Sequence, residues 1–415
     1  MADKTNFAGH TPQPDITRRG FVAGTAALGL AAIVRPELVS GAQANSKITV
    51  GLIGCGGRGN WIANLFSRHG GYQFIATADY FPDQAEGTGN RLNVPADKRY
   101  SGLSGYKRLL DAKPDAIVIE SPPYFHPEQA MAGVDSGCHV YCAKPIAVDV
   151  HGCQTVAEAG RKGTQNKRCV LIDFQTRATE FFIEAIKRVH SGAIGRLAFG
   201  EATYHAGIPW TGQIAAAKDT TNPENRIRAW GLDRILSGDI IVEQNIHTLD
   251  VASWIMNQAP VSAYGMGAQK VRDFGTCRDT FSVIYQYPEN VAVNFSSRQF
   301  EGHGTSPEGI RNRMFGAEGV LETEYGGEVL IKGKNLYRGG RTPDIYQEGA
   351  VNNIAAFHKA IQDGDFNNAT VEASVRSNLV SILGRTAAYK KAEVTWDEML
   401  KTAEKLEFST SGLKA

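Results

Sequence analysis

Three side chains in this sequence have types that could together assist the oxidation of an alcohol, by taking the hydroxyl proton while a hydride leaves the carbinol carbon for an acceptor. Lys144 precedes a proline at the end of a short apolar run, and Glu243 and His247 lie four residues apart in a later apolar segment. Loss of hydride requires loss of the hydroxyl proton, so a base must touch that oxygen. A lysine can polarise the oxygen, and its charge can lower the pKa of a nearby histidine. Each residue alone has an ordinary structural explanation, a surface lysine and a core histidine among them.

A glycine-rich turn predicts where a dinucleotide would lie. The β-branched run 47–53 leads directly into GCGGRG at 54–59, and a helical pattern follows. Glycines in this context allow a tight turn and close approach of the backbone to a pyrophosphate at the helix N-terminus. The next predicted strand, 72–78, ends at Asp79, where an acid would accept ribose hydroxyls and repel a 2′-phosphate. The sequence therefore favours NAD over NADP, with cofactor contacts from Gly54, Gly56, Gly57, Arg58, Gly59 and Asp79.

Strands and helices alternate through the first half of the chain. Apolar runs at 116–120 and 139–142 are separated by a predicted helix at 128–135. This order predicts a doubly wound parallel sheet, with ligands at the carboxyl ends of its strands. The residues predicted to contact the cofactor at such ends are Ser121, Pro122, His126 and Lys144.

These motifs resemble the glucose–fructose oxidoreductase, inositol dehydrogenase and rhizopine catabolism superfamily, written Gfo/Idh/MocA. The resemblance covers essentially all of the chain after residue 44 and rests on the glycine turn, on SPP at 121–123, on GCHVYCAKP at 137–145 and on GDIIVEQNIHTLD at 238–250. It implies a catalytic lysine at Lys144, a catalytic histidine at His247 and the acid of the site at Glu243. Two positions depart from the family: Ala143 replaces a glutamate that helps to hold the nicotinamide ribose, and Glu243 replaces an aspartate.

The second half predicts a different architecture. Alternating runs near 198–204, 261–268, 279–287 and 291–300 indicate strands with one buried and one open face, and 351–363 and 372–391 indicate closing helices. The resemblance likewise implies an α+β domain with an open, mostly antiparallel sheet, and a homo-oligomer through that sheet, dimer or tetramer. Gln175 is a predicted cofactor contact. Predicted substrate contacts are Lys144, Arg177, Tyr204, His205, Trp230, Glu243 and His247, although the tryptophans at 210 and 230 could equally pin a long loop.

Residues 1–44 predict an exported protein. They contain a paired-arginine motif (TRRGF, 17–21), an uncharged apolar run and a small-x-small cleavage signature at 42–44. We expect a twin-arginine signal peptide, a dinucleotide-binding domain over 45–167 and a substrate domain over 168–415. No membrane anchor is expected after cleavage, and a periplasmic or otherwise exported location follows. Twin-arginine export moves folded proteins, so a cofactor could be loaded beforehand.

Composition excludes other classes of partner and site. A net charge of +1 in 415 residues argues against nucleic-acid binding. The six cysteines include no CxxC pair, so we expect buried free thiols and no metal. A small carbohydrate is the expected partner.

Three net reactions remain open at this stage. Export favours a retained, recycled NAD and a redox-neutral reaction on a sugar or glycoside. One alternative is net glycoside hydrolysis through oxidation, elimination, hydration and reduction. The other is a simple NAD-dependent sugar dehydrogenase.

Overall fold

Two β-sheets organise the chain in the computed structural model, which describes residues 47–219, 221–306 and 308–415. Residues 47–415 form one compact unit. The predicted signal peptide, residues 1–44, lies outside the described residues, so twin-arginine export stays a prediction.

The first sheet is parallel, with strand order β3-β2-β1-β4-β5-β6. Its strands are short apolar runs, and β4 and β5 are buried along their whole length because helices cover both faces. This is the predicted doubly wound arrangement. The strands are β1 (Ile48–Ile53), β2 (Tyr72–Asp79), β3 (Arg99–Ser101), β4 (Ala116–Ile119), β5 (His139–Ala143) and β6 (Val170–Asp173).

Five helices connect these strands, and a sixth follows β6 and leads to the second sheet. α1 follows the glycine turn and presents Ile62 and Phe66 to the sheet, where the Phe66 ring meets Tyr141 edge-on at 5.1 Å. The helices are α1 (Gly57–His69), α2 (Pro82–Arg91), α3 (Gly105–Asp111), α4 (His126–Asp135), α5 (Val150–Gln165) and α6 (Glu180–His190).

The second sheet has nine strands in the order β14-β13-β12-β11-β7-β10-β9-β8-β15. It is antiparallel except where β7 and β10 run parallel, and alternate residues of β9 and β10 are buried. The strands are β7 (Leu197–Ala206), β8 (Ser262–Ala268), β9 (Thr280–Tyr287), β10 (Val291–Gln299), β11 (Gly309–Gly316), β12 (Gly319–Glu324), β13 (Glu328–Gly333), β14 (Tyr337–Arg341) and β15 (Val394–Thr395).

The remaining helices lie around the two sheets. They are α7 (Ile214–Lys218), α8 (Pro223–Arg228), α9 (Arg234–Ser237), α10 (Ile240–Glu243), α11 (Ile246–Met256), α12 (Ile345–Asp363), α13 (Ala369–Lys390) and α14 (Trp396–Thr402). α12 packs against the first sheet, since Phe357 meets the Tyr141 ring at 5.6 Å. Among the described residues, no helix is long and apolar enough to cross a membrane.

Two features differ from the sequence-based expectations. The boundary predicted after Lys167 falls one strand too early, because β6 pairs with β5 and completes the first sheet. The segment carrying Glu243 and His247 is not one continuous helix: α10 ends at Glu243 and α11 begins at Ile246. The break lets Glu243 turn toward β5 while His247 stays on the first turn of α11.

Candidate active site

The glycine turn leaves open space at the N-terminus of α1. A Cβ on Gly59 would lie 1.9 Å from the Gly54 carbonyl oxygen, so only glycine permits this close crossing. Gly54 itself has a φ of +92°. A Cβ added at Gly56 or Gly57 would have no neighbouring atom within 4 Å, so the space next to both residues is open. The first turn of α1 has no acidic residue, so the cradle fits a pyrophosphate.

Asp79 fixes this turn from the end of β2. Its Oδ2 accepts the Cys55 N–H at 2.7 Å and its Oδ1 accepts the Phe81 N–H at 2.9 Å. Burial raises the pKa of Asp79, although both N–H donors oppose the shift. Its role as the ribose acceptor stays a prediction.

A cavity of about 650 Å³ extends from the glycine turn across the carboxyl ends of the strands. Its size is that of a small-molecule site. Trp230 lines it and meets Trp210 at 5.7 Å, so Trp230 lies on the dinucleotide side of the cleft. Residues predicted as cofactor contacts that line this cavity are Gly54, Gly56, Gly57, Asp79, Ser121 and Pro122.

Lys144 and Glu243 form a buried ion pair between the two halves. The Lys144 Nζ donates to the Glu243 carbonyl oxygen at 2.7 Å and to its Oε1 at 3.2 Å. Glu243 Oε2 accepts from Gln244 Nε2 at 2.6 Å, and the Tyr204 hydroxyl donates to Gln244 Oε1. Burial lowers the pKa of Lys144, whereas Glu243 opposes that shift. The amine therefore sits where it can polarise an oxygen without competition from bulk water.

His247 lies in the same buried region. Burial lowers its pKa well below the ordinary value of 6.5, with the charges of Lys144 and Arg58 acting in the same direction. Its ring makes no hydrogen bond to any other residue that the structure describes, and it meets the Tyr325 ring at 5.3 Å. The imidazole is thus neutral near pH 7 and has the lone pair that a general base needs.

Arg58 lies between two carboxylates at the ends of β4 and β6. Its Nε is 3.0 Å from Glu120 Oε2, and its Nη2 is 2.5 Å from Asp173 Oδ2. Burial raises the pKa of Glu120 to about 7, although Arg58 opposes the shift. Arg58 also donates to the Tyr346 hydroxyl of α12 at 2.8 Å.

Two other predicted cofactor residues are fully buried. The His126 Nδ1 lies 2.8 Å from the Pro145 carbonyl oxygen, and its Nε2 lies 2.6 Å from the Ser121 carbonyl oxygen. It therefore joins the two turns that carry Ser121 and Lys144, which accounts for the residue without a cofactor contact. Gln175 Nε2 lies 3.4 Å from Asp173 Oδ2.

The structure separates the predicted substrate contacts of the second half. Tyr204 faces the buried side of β7 and joins the Lys144–Glu243 group through Gln244. His205 faces the opposite side of the same strand, near Ser296 at 3.1 Å. The Arg177 guanidinium donates to both oxygens of the buried Asp250, at 2.9 and 3.1 Å. Only Tyr204 of these three joins the buried group at Lys144.

Three residues of the site were not singled out by sequence reasoning. Glu120 and Asp173 each end a buried apolar strand, which was the available signal, but their proximity depends on strand order. Tyr325 follows β12, and its buried hydroxyl has no hydrogen-bond partner among the described residues. Nothing in the local sequence marks it.

The cysteines form no disulfide, and among the described residues they form no metal site. All six are buried free thiols, as expected. His139 Nδ1 accepts the Cys169 N–H at 2.9 Å, which occupies that nitrogen in the fold. The described part of the chain contains no group of three or more His, Cys, Asp or Glu placed to hold a metal ion.

Both halves of the chain match family models. A model described as an oxidoreductase family with an NAD-binding Rossmann fold, GFO/IDH/MocA, matches residues 48–170. The model of the GFO/IDH/MocA C-terminal domain matches residues 182–322.

Individual relatives are distant in sequence but similar in fold. Inositol 2-dehydrogenase 2 of Saccharopolyspora erythraea is 26% identical over 337 residues, which cover 78% of this chain and 88% of that protein. A glycosyl hydrolase family 109 protein of Shewanella pealeana is 26% identical over 219 residues, 47% of each chain. The crystal structure of aldose-aldose oxidoreductase from Caulobacter crescentus superposes with a TM-score of 0.66 at 20% identity and covers 84% of this chain and 99% of that one.

Proposed function

Because the chain belongs to the GFO/IDH/MocA family of NAD-binding oxidoreductases, we propose that it oxidises a hydroxyl-bearing carbon of a sugar or glycoside and returns the hydride to a sugar carbonyl, with an NAD that stays bound. The observation that carries this proposal is the buried group of Lys144, Glu243 and His247, which lies at the end of β5, one strand beyond the residues after β4 that line the cavity at the glycine turn. The net reaction is redox-neutral.

Each protein group has a distinct task in this scheme. Bound NAD supplies a hydride acceptor for the carbinol carbon. Lys144 donates to the substrate oxygen and stabilises the negative charge that develops there. His247 takes the hydroxyl proton and later returns it. Glu243 holds the Lys144 amine in position, and Gln244 connects that carboxylate to the Tyr204 hydroxyl.

Side chains that partly cover the adenosine side of the cavity support retention of the cofactor. The segment between β7 and α9 lines the dinucleotide cavity, and Arg228 stacks over the Phe81 ring at 3.8 Å. Residues 404–415 contact this segment: Lys414 pairs with Glu224 at 3.5 Å, and Phe408 packs in one cluster with Ile227. The Lys414 N–H also donates to the Tyr80 hydroxyl at 3.2 Å. A cofactor under this cover would exchange slowly.

Location and assembly form part of the proposal. We propose twin-arginine export on the basis of the sequence of residues 1–44. Export favours a retained NAD, because an exported enzyme that released its cofactor could not replace it. We also propose a homo-oligomer through the open face of the second sheet. Tyr264 and Ile284 are register partners there and both are 50% exposed, and Met266 is 58% exposed. A monomer mass in solution would contradict the oligomer.

The direct test of this function is a panel of sugars and glycosides incubated with the purified protein and no added NAD. We expect a converted product and an acid-released nucleotide with the mass of NAD. The same panel is run with the variant His247→Ala. His151→Ala, at an exposed histidine on α5, is its matched control. A protein that carries no nucleotide, or turns over only when NAD is supplied stoichiometrically, would contradict retention.

Net glycoside hydrolysis is the second candidate, and the similarity to the family 109 glycosyl hydrolase favours it. In that case a proton leaves the carbon next to the oxidised carbon, the glycosidic bond is eliminated and water adds. Turnover in heavy water would then place deuterium at that neighbouring carbon. A reaction that only exchanges hydride between two sugars would leave the carbon unlabelled and require a carbonyl co-substrate.

A further inference from the structure

Three neighbouring strands end in a row at the side of the sheet where α1 packs. Ile119 pairs with Cys142, and Ala143 pairs with Asp173, so Glu120, Ala143 and Asp173 occupy equivalent positions on β4, β5 and β6. Side chains alternate along a strand. The residues two positions before each member of the row point to the same face of the sheet. They are Val118, Tyr141 and Leu171, and they pack in one cluster with α1. The row therefore has carboxylates on its outer strands and only a methyl group on the middle one.

The two carboxylates differ in how well their oxygens are satisfied. Asp173 accepts from Arg58 at 2.5 Å, from Asn353 at 2.8 Å and from Gln175 at 3.4 Å. Glu120 is fully buried, yet neither of its oxygens accepts a well-directed hydrogen bond from the described residues, despite its ion pair with Arg58. A buried carboxylate whose oxygens are poorly satisfied is costly. Glu120 is therefore the less well satisfied carboxylate of this row, although Arg58 is paired with it.

Strand order places Glu120 on the nicotinamide side of a bound dinucleotide. The pyrophosphate cradle follows β1, and Asp79 ends β2 on one side of it. β4 lies on the other side, and the Glu120 N–H donates to the Ile53 carbonyl oxygen at 2.8 Å. Lys144 follows β5, one strand further. A dinucleotide that crosses the sheet at this switch point passes Glu120 between its pyrophosphate and Lys144.

We propose that the Glu120 carboxylate accepts the two hydroxyl hydrogens of the nicotinamide ribose, while Arg58 and Asp173 hold the carboxylate in place. Two adjacent hydroxyls offer two donors, and a carboxylate offers two acceptor oxygens. Glu120 also lines the dinucleotide cavity. The inference rests on NAD binding and is independent of the net reaction proposed above.

The charges around this position are consistent with such a contact. Among the described residues, the cations that act on this group of Glu120, Asp173 and Glu243 are Arg58 and Lys144. Burial raises the pKa of Glu120 to about 7, so hydroxyl donors from a ligand would stabilise its charged form.

The test compares NAD with ADP, which has the adenosine and the pyrophosphate but not the nicotinamide ribose. Dissociation constants are measured by titration calorimetry on the full chain after removal of bound nucleotide. Glu120→Ala is expected to raise the NAD dissociation constant roughly 10- to 100-fold, the effect of losing two hydrogen bonds to a charged group. The ADP constant should stay unchanged. Glu120→Gln keeps the side-chain volume and one acceptor, so its loss of NAD affinity should be smaller but equally confined to NAD.

Asp79→Ala provides the matched comparison, because Asp79 lies at the adenosine side and its loss should weaken NAD and ADP alike. Unchanged NAD affinity in the Glu120 variants would overturn the proposal. So would an equal loss of NAD and ADP affinity, since it would indicate general damage to the glycine turn. Neither measurement depends on turnover, so failure here is distinguishable from failure of the proposed function.

Discussion

His247→Ala is expected to lower turnover by at least ~100-fold, the usual contribution of a positioned general base, while the bound NAD content stays that of the unsubstituted protein. The reason is that His247 is the neutral, buried imidazole beside Lys144, with no hydrogen-bond partner among the described residues. His151→Ala should retain full turnover. Wild-type turnover in His247→Ala would remove the residue from the mechanism.

The pH dependence of turnover provides a second check on His247. Burial, Lys144 and Arg58 lower its pKa well below 6.5. Because a base works in its unprotonated form, activity attributed to His247 should persist at pH values below the ordinary pKa of histidine. A decline centred at the ordinary value would indicate that the base is a different, exposed group.

Lys144→Met is expected to have an effect on turnover of similar size, together with a loss of stability. Without the amine, the buried Glu243 carboxylate has no cation, and breaking a buried pair in this way costs about 3–5 kcal/mol. The double variant Lys144→Met/Glu243→Gln removes that unpaired charge. Thermal unfolding should therefore show partial recovery of stability in the double variant, whereas turnover should stay at least ~100-fold low. Recovery of turnover along with stability would mean that the pair serves the fold alone.

Much of the first half could be predicted because its signals are local. Buried parallel strands are continuous apolar runs, and the glycine turn between a strand and a helix has a specific mechanism. The predicted strand 116–120 and the observed β4 differ by one residue. The role of β6 could not be assigned locally, since membership of a sheet depends on which strand is its neighbour.

The second half was harder because its chemistry depends on distant contacts. β11 and β12 carry charged side chains on their open face, such as Arg313 and Glu322, and these hid the hairpin pattern. The sequence predicts that Trp230 either lines the cleft or pins a long loop. In the structure it lines the dinucleotide cavity, and Phe408 packs in the same cluster. Glu120 and Asp173 can be recognised as neighbouring residues of the site only once the order of β4, β5 and β6 is known.

The most direct test of a retained and recycled NAD is rapid mixing of the NAD-loaded protein with a substrate identified in the panel, while the absorbance of reduced nicotinamide is followed. We predict a transient rise as the bound cofactor is reduced, its return to the oxidised state as product forms, and no reduced nucleotide in the filtrate after ultrafiltration. Release of reduced nucleotide into solution in proportion to oxidised product would contradict it, and the protein would then act as an ordinary dehydrogenase.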